Sequence, residues 1–320
     1  MEMVIVGSIG YDDIQTPEEN GSGILGGAAS HSGLAAAFHM RPLPGKPPRI
    51  GIVSAVGEDF STYHQMVLED AGLNLAGVVV GDGKTFRWSG KYDDSMDRVT
   101  TVSTDLNILE GFTPVIPDAW SDPDVLFCAN AHPRIQLAAI NQCPGARITV
   151  LDSFRLWIED EFELLSEAMR NVDVVIINEE EVCSIAEEQV LTKAITSVMS
   201  GSSLHGGMEA GPGPRSLIVK RGSSGVLAHL PCGTIALPSY PTEKMVDPTG
   251  CGDTFAGALF ACLMGHEGPL NDSEVMRNAL VHATVTASYC VERLGTKGVR
   301  SLGRGAYHAR ADRYRRIVGI

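Results

Sequence analysis

Two periods of apolar residues run through the chain and divide it into short strands and amphipathic helices. Residues 3–6 form an apolar, β-prone run that enters the turn Gly7-Ser8-Ile9-Gly10-Tyr11-Asp12-Asp13. Gly26-Gly27-Ala28-Ala29-Ser30-His31 then opens a small-residue helix through Leu34, Ala35 and Phe38. After a Pro-rich loop over 41–48, residues 49–56 resume as a strand, and Gly57-Glu58-Asp59 leads into a helix that Gly72 stops. Residues 84–104 break the pattern: short alternating segments rich in Thr, Arg, Trp, Tyr and Val predict a small β excursion. Strand and helix signals then alternate again, with strands at 125–128, 148–151 and 172–177 and helices near 135–142 and 159–169.

Residues 201–214, rich in Gly, Pro and Ser, predict a surface loop. A buried-type strand at 216–220 is joined through Arg221-Gly222-Ser223-Ser224-Gly225 to a second strand at 226–230. Phe255, Leu259, Cys262 and Leu263 follow helical spacing. Asn271 and Glu274 read as a capping box for a helix bearing Leu280, Ala283, Ala287 and Val291, and the basic stretch 304–316 reads as a terminal helix. Alternation of this kind predicts an α/β fold with a mainly parallel sheet covered by helices.

Composition narrows the picture. The 320 residues suffice for one large α/β domain or two smaller ones, and 44% hydrophobic with 20% charged residues is an ordinary globular balance. A net charge of -14 argues against a broad nucleic-acid or anionic-membrane surface. The seven cysteines include no C-x-x-C pair, so neither a zinc site nor a disulfide framework is signalled. With the first residues reading as a strand and no apolar run of membrane-spanning length, a cytoplasmic location is expected.

Candidate chemistry concentrates at Asp247-Pro248-Thr249-Gly250-Cys251-Gly252-Asp253, where a Gly-rich turn feeds a helix. Free N–H groups at such a helix start cradle an anion, Gly250 and Gly252 admit a phosphate close to the backbone, and Asp253 adds a carboxylate. An ordinary Asp-capped turn would show the same string. Strand ends in an open α/β sheet gather ligands, which makes Asp12 a candidate for gripping hydroxyls and puts Asn130, His132, Asp152 and Arg155 on the ligand edge. His31 either meets a ligand at its helix start or is a polar first-turn residue. Asn178-Glu179-Glu180-Glu181 caps a helix, and such carboxylates also organise hydrated Mg2+ beside phosphates. Trp88 and Tyr92 can cover a ligand or simply pack, and His282 can contact a flat base or sit in the core.

No G-x-x-x-x-G-K-[ST] occurs, and no G-x-G-x-x-G follows the first strand. The set G-S-I-G-Y-D, G-G-A-A-S-H, I-N-E-E-E, K-R-G-S-S-G and D-P-T-G-C-G-D-T-F, in this order, resembles the ribokinase-like PfkB carbohydrate kinase family over nearly the whole chain. The resemblance implies a three-layer sandwich formed by residues 1–320 as one kinase domain, with lid elements near 12–26 and 84–104. It implies that Asp253 is the catalytic base and that Gly250, Cys251 and Gly252 form the anion hole. Asn178 and Glu181 would serve Mg2+ and phosphate, with Glu181 acting through water. Lys220, Gly222 and Gly225 would form the nucleotide-phosphate turn, and His282 would stand near adenine. Asp12, Gly26, Gly27, His31 and Arg155 would face the acceptor.

The implied activity is transfer of the γ-phosphoryl group of ATP, with Mg2+ and with either a Lys or a monovalent cation such as K+ assisting the anion hole, to a hydroxyl of a sugar or polyol. A nucleoside kinase is the alternative, and a non-catalytic sugar- or nucleotide-binding regulator a third reading. Partners are then small molecules rather than nucleic acid or membrane, with homodimer contacts through the lid. The chain departs from the G-G-K-G-x-N motif of many sugar kinases in the family: notably, Ala28 stands where the motif has Lys and His31 where it has Asn.

Overall fold

The computed structural model describes residues 1–41, 46–96 and 98–320, so half of the loop expected over 41–48 lies outside the described residues. Strands follow the chain as β1 (Met3–Val6), β2 (Gly10–Gln15), β3 (Asn20–Gly26), β4 (Ile50–Gly57), β5 (Leu73–Gly81), β6 (Phe86–Tyr92) and β7 (Val99–Asp105). They continue as β8 (Val125–Cys128), β9 (Ile148–Asp152), β10 (Val174–Asn178), β11 (Ser216–Lys220), β12 (Val226–Leu230) and β13 (Gly233–Leu237). Among the described residues they form a nine-stranded sheet, β13-β12-β11-β10-β9-β8-β1-β4-β5, and a four-stranded sheet, β3-β2-β6-β7. Every neighbouring pair from β11 to β5 is parallel, and β12 and β13 are added antiparallel.

The apolar runs of the sequence are explained by burial on both faces of the large sheet. Met3, Ile5, Ile52, Phe127 and Ile176 face the core shared with helices Ala28–Met40, Cys251–Cys262 and Ser273–Cys290. Val4, Val6, Leu126 and Cys128 point to the opposite face, as do Val175 and Val219 further along the sheet. The result is a helix–sheet–helix sandwich. Among the described residues no helix is long and apolar enough to cross a membrane.

Two helices converge because small residues let them. A Cβ built on Gly257 would lie 2.1 Å from the carbonyl oxygen of Ser32, so helices Ala28–Met40 and Cys251–Cys262 touch backbone to backbone there. Their N-termini therefore open side by side at the carboxyl edge of the parallel strands, where open α/β sheets bind ligands. The small sheet stands over this edge. Within it β2 pairs antiparallel with β3 but parallel with β6, and Tyr92 of β6 reaches the large sheet's side with its hydroxyl 2.9 Å from Oγ1 of Thr249.

Several local expectations are corrected. Asp12 lies in the middle of β2, in the small sheet, rather than at the end of the first strand. The helix expected over 159–169 is two helices, Arg155–Asp160 and Phe162–Arg170, separated at Glu161. Asp272 and not Asn271 caps helix Ser273–Cys290: its carboxylate accepts from the N–H groups of Glu274 and Val275 at 2.9 and 3.1 Å. The 201–214 loop contains a short helical turn at Gly207–Ala210, and the Arg170 guanidinium ties it down by donating to the carbonyls of Gly201, Gly207 and Gly211.

Candidate active site

The turn before helix Cys251–Cys262 is built from its first residue. Asp247 is fully buried, and its carboxylate accepts from the N–H of Thr249 at 2.9 Å and of Gly295 at 2.7 Å. The N–H of Cys251 donates to the carbonyl of Pro248 at 3.1 Å, closing the turn. Gly250 takes φ of 70°, which suits glycine, and a Cβ there would lie 2.3 Å from the His31 ring. Among the described residues none accepts from the N–H groups of Gly250, Gly252 or Asp253, which begin the helix. Of the three positions expected to form an anion hole, Gly250 and Gly252 keep a free N–H, whereas the N–H of Cys251 is engaged in the turn; the N–H of Asp253 is free as well. The Cys251 thiol points away, towards the carbonyl of Ala287.

Beside this turn lies a cavity of about 630 Å3. Lys220 reaches into it from the end of β11, its Nζ 3.1 Å from where a Gly252 Cβ would stand. The ammonium is held by Asp152 at the end of β9, Nζ to Oδ2 2.6 Å, and Asp152 is 2% exposed. The second Asp152 oxygen accepts from the N–H of Ser153, and Gln136 donates to the Asp152 carbonyl at 2.7 Å. Burial pushes the Asp152 carboxyl up to about 6 although Lys220 opposes it. Burial also works against charge on Lys220, but Asp152, Glu181 and Asp253 outweigh it and raise its pKa.

Asn178 and Glu181 form a reciprocal capping box: Asn178 Oδ1 accepts from the Glu181 N–H at 2.8 Å, and Glu181 Oε2 from the Asn178 N–H at 2.9 Å. Glu181 nevertheless lines the cavity, and burial, against the pull of Lys220, lifts its carboxyl to about 7. Asn178 stands in register with Lys220, so the capping box and the ammonium share one edge.

Across the cavity, Asp12 and His31 form a second polar group. Asp12 is buried, and its carboxylate occupies the space that a side chain at Gly26 would fill, 2.0 Å from such a Cβ. Burial lifts Asp12 to about 7, opposed by His31 and aided by Asp247 and Asp253. His31 is 1% exposed, and among the described residues no group makes a hydrogen bond to either ring nitrogen. Burial lowers its pKa, yet Cys290, Asp12 and Asp253 around the ring prevail and lift it to about 9. An unpartnered buried imidazole beside a buried carboxylate is costly unless a ligand completes it.

Several aromatic side chains also line the wall. Phe86 and Trp88 come from β6, and Phe112, Phe154 and Trp157 from the connections of the large sheet. Trp157 is oriented by donating from Nε1 to Asn130 Oδ1 at 3.0 Å, with the His132 ring 4.9 Å away.

Residues 45–300 match the family described as pfkB family carbohydrate kinase. The chain belongs to that family. It is 29% identical over 269 residues to a cytidine kinase of Thermococcus kodakarensis, covering 82% of this chain and 88% of that protein. It is 25% identical over 284 residues to an ATP-dependent ribose-1-phosphate kinase of Halopiger xanaduensis, covering 88% and 87%. The fold matches the ribokinase of Giardia lamblia with a TM-score of 0.77 at 19% identity, over 98% of this chain and 99% of that one. A pfkB-family kinase with such relatives is a phosphotransferase, and the reading as a non-catalytic regulator gives way.

Within this kinase the cavity brings together Asp12, Gly27, His31, Asn178, Glu181, Lys220, Gly250, Gly252 and Asp253. Six other expected residues do not line it: Gly26 packs against the Asp12 carboxylate, the Cys251 thiol turns to Ala287, and the remaining four stand further apart. Arg155 is corrected: its helix turns it outwards, 75% exposed, onto Glu159 at 2.6 Å. His282 is corrected too, since Nδ1 meets the Tyr307 hydroxyl at 2.5 Å and Nε2 the Arg315 guanidinium at 3.1 Å, tying two helices together. Gly222 and Gly225, with φ of 52° and 95°, bound a short turn just beyond Lys220, outside the cavity wall. The sequence reading put Asn130, His132 and Asp152 on the ligand edge from their places at strand ends, and the cavity wall includes all three, but it gave Asp152 no partner and did not single out Phe112, Phe154 or Trp157.

Asp12 carries a testable pH signature. Its folded-state pKa lies above the unfolded value of 3.8, so the neutral form stabilises the fold at low pH, and that contribution is lost as pH rises to about 7. Asp12→Asn removes the titration. The melting temperature of the variant relative to the parent should therefore climb between pH 5 and pH 7.5 in thermal-shift measurements. A difference that stays flat across this range would contradict the burial of an uncompensated carboxyl at position 12.

Proposed function

We propose that this kinase transfers the γ-phosphoryl group of ATP to a ribose hydroxyl of a nucleoside. The observation that carries the acceptor is the two-sided cavity: a carboxylate–imidazole end at Asp12, His31 and Asp253, faced by an aromatic wall built on Trp88, Phe86 and Trp157. A sugar uses only the polar end. A nucleoside uses both, with hydroxyls on Asp12 and His31 and the base against the aromatic rings. The similarity to a cytidine kinase supports this reading.

Asp253 accepts the proton of the attacking hydroxyl, and the N–H groups of Gly250, Gly252 and Asp253 bind the oxygens on which charge develops. Lys220, fixed by Asp152, adds positive charge beside them. Mg2+ fits the Glu181 carboxylate, which is buried yet has one oxygen outside the capping box, and there it would neutralise phosphate charge. The small sheet covers the acceptor and excludes water, as a lid over phosphoryl transfer must.

Trp88→Ala tests the base platform. The KM for the nucleoside should rise by about tenfold, the order of one lost base–aromatic stack. The KM for ATP should stay unchanged. Equal KM for the nucleoside in both proteins would contradict the assignment. A second acceptor class, a sugar phosphate, has one observation in its favour: Arg134 and His132 lie on the cavity wall and can meet a phosphate. On that reading Arg134→Ala raises the KM for the acceptor and Trp88→Ala does not.

A further inference from the structure

A second concavity, of about 700 Å3, lies where helix Ala28–Met40 ends. That helix begins at the active-site cavity, where Gly27, Ala28 and His31 line the wall, and its 13 residues carry the chain roughly 20 Å away. The groove is thus a separate place on the molecule. Its apolar floor includes Leu34, Val67, Val299 and Leu302. Three guanidiniums, of Arg41, Arg300 and Arg304, stand around that floor, with Asp70 on the same wall.

Among the described residues none of the three arginines makes an ion pair with a carboxylate, Asp70 included, although the chain carries 39 acidic residues against 25 basic ones. Two of them are instead positioned by neutral groups. Arg304 donates to the Phe38 carbonyl and lies 4.2 Å from the centre of the Phe38 ring. Arg300 donates to the Tyr63 hydroxyl at 3.2 Å and sits over its ring. Burial, and after it the charge of Arg41, pushes the Arg304 pKa down, which marks repulsion left uncompensated in the free protein. Guanidinium forks held by neutral partners keep donors free for a bidentate contact with phosphate. An apolar floor beside them suits the body of a molecule that carries the phosphate, not the phosphate alone.

We propose that this groove binds an organic phosphate of the nucleoside monophosphate type, with Arg41, Arg300 and Arg304 on the phosphate and the Leu34–Val67–Leu302 floor under the base. Neither the acceptor nor the catalytic residues enter this assignment, so its failure leaves the proposed function standing.

The test is the binding stoichiometry of radiolabelled AMP by equilibrium dialysis, comparing the parent protein with the double variant Arg41→Gln/Arg300→Gln. Both positions are exposed and lie outside the catalytic cavity, so kcat and KM measured without AMP should be unchanged. The parent should bind one more equivalent of AMP per chain than the variant. Inorganic phosphate should displace that equivalent at least tenfold less well than AMP does. The single variant Arg300→Glu, which reverses one charge, should lose the same equivalent and guards against a folding defect in the double variant. Equal stoichiometry in all three proteins, or displacement by phosphate as effective as by AMP, overturns the proposal.

Discussion

Asp253→Asn should lower kcat by about a thousandfold, within the ~10²–10⁴ that a positioned general base contributes, while the Kd for ATP changes by less than about threefold. The substitution keeps the shape of the side chain and the N–H of residue 253, so the anion hole survives and only the proton acceptor is lost. The first helical turn also loses a negative charge that favours its N-terminus, which costs about 0.5 kcal/mol of stability. That is too little to unfold a chain of this size. Single-turnover kinetics with saturating ATP separates the two effects. A variant that keeps a tenth or more of the parent rate would remove Asp253 from the role of base.

The second large effect concerns Lys220 and Asp152. Their ion pair is buried, 2.6 Å long and placed next to Gly252. Lys220→Met leaves the Asp152 carboxylate without its counter-charge in a site where burial already works against it. Breaking a buried pair on one side costs about 3–5 kcal/mol, which corresponds to a fall of roughly 6–10 °C in melting temperature. The rate should fall by about a hundredfold as well, the order expected for one preorganised group at the developing charge. Asp152→Asn leaves the ammonium in place but unanchored, so kcat should drop, with a smaller fall in melting temperature because Glu181 and Asp253 still favour the Lys220 charge. In the double variant the rate loss should be smaller than the product of the two single losses, because both act through one ammonium. Strict additivity would show that Asp152 and Lys220 work independently.

The layered core and the glycine turn that opens helix Cys251–Cys262 were legible in the sequence because each has a local signal. Apolar runs such as 125–128 and 216–220 bury both faces of a parallel strand and can hardly sit elsewhere. Gly250 and Gly252 mark backbone that must come close to something, and the structure puts His31 and Lys220 there. What stayed hidden depends on pairing between distant segments. The parallel match of β2 with β6 joins residues over 70 positions apart, so the sequence alone left Asp12 at the end of the first strand. Arg155 shows the limit of reading ligands from strand ends. The chain passes from β9 into a helix at that residue, and the helical turn carries the long side chain to solvent while Asp152, three residues earlier, stays inside. His282 has the composition of a ligand-facing residue, but Tyr307 and Arg315 arrive from a helix that the local pattern around it does not foretell. Asp152 and Lys220 lie 68 residues apart, and only the order of strands makes them partners.

In the proposed reaction the polar end and the aromatic wall of one cavity hold a nucleoside for phosphoryl transfer from ATP. Coupled measurement of ADP release with cytidine, uridine, adenosine, inosine, ribose and ribose 1-phosphate as acceptors decides between nucleoside and sugar. At least one nucleoside should be turned over with kcat/KM tenfold or more above that of ribose and ribose 1-phosphate, and Asp253→Asn should abolish the signal. Turnover of ribose or ribose 1-phosphate at a higher kcat/KM than every nucleoside would contradict the proposed reaction.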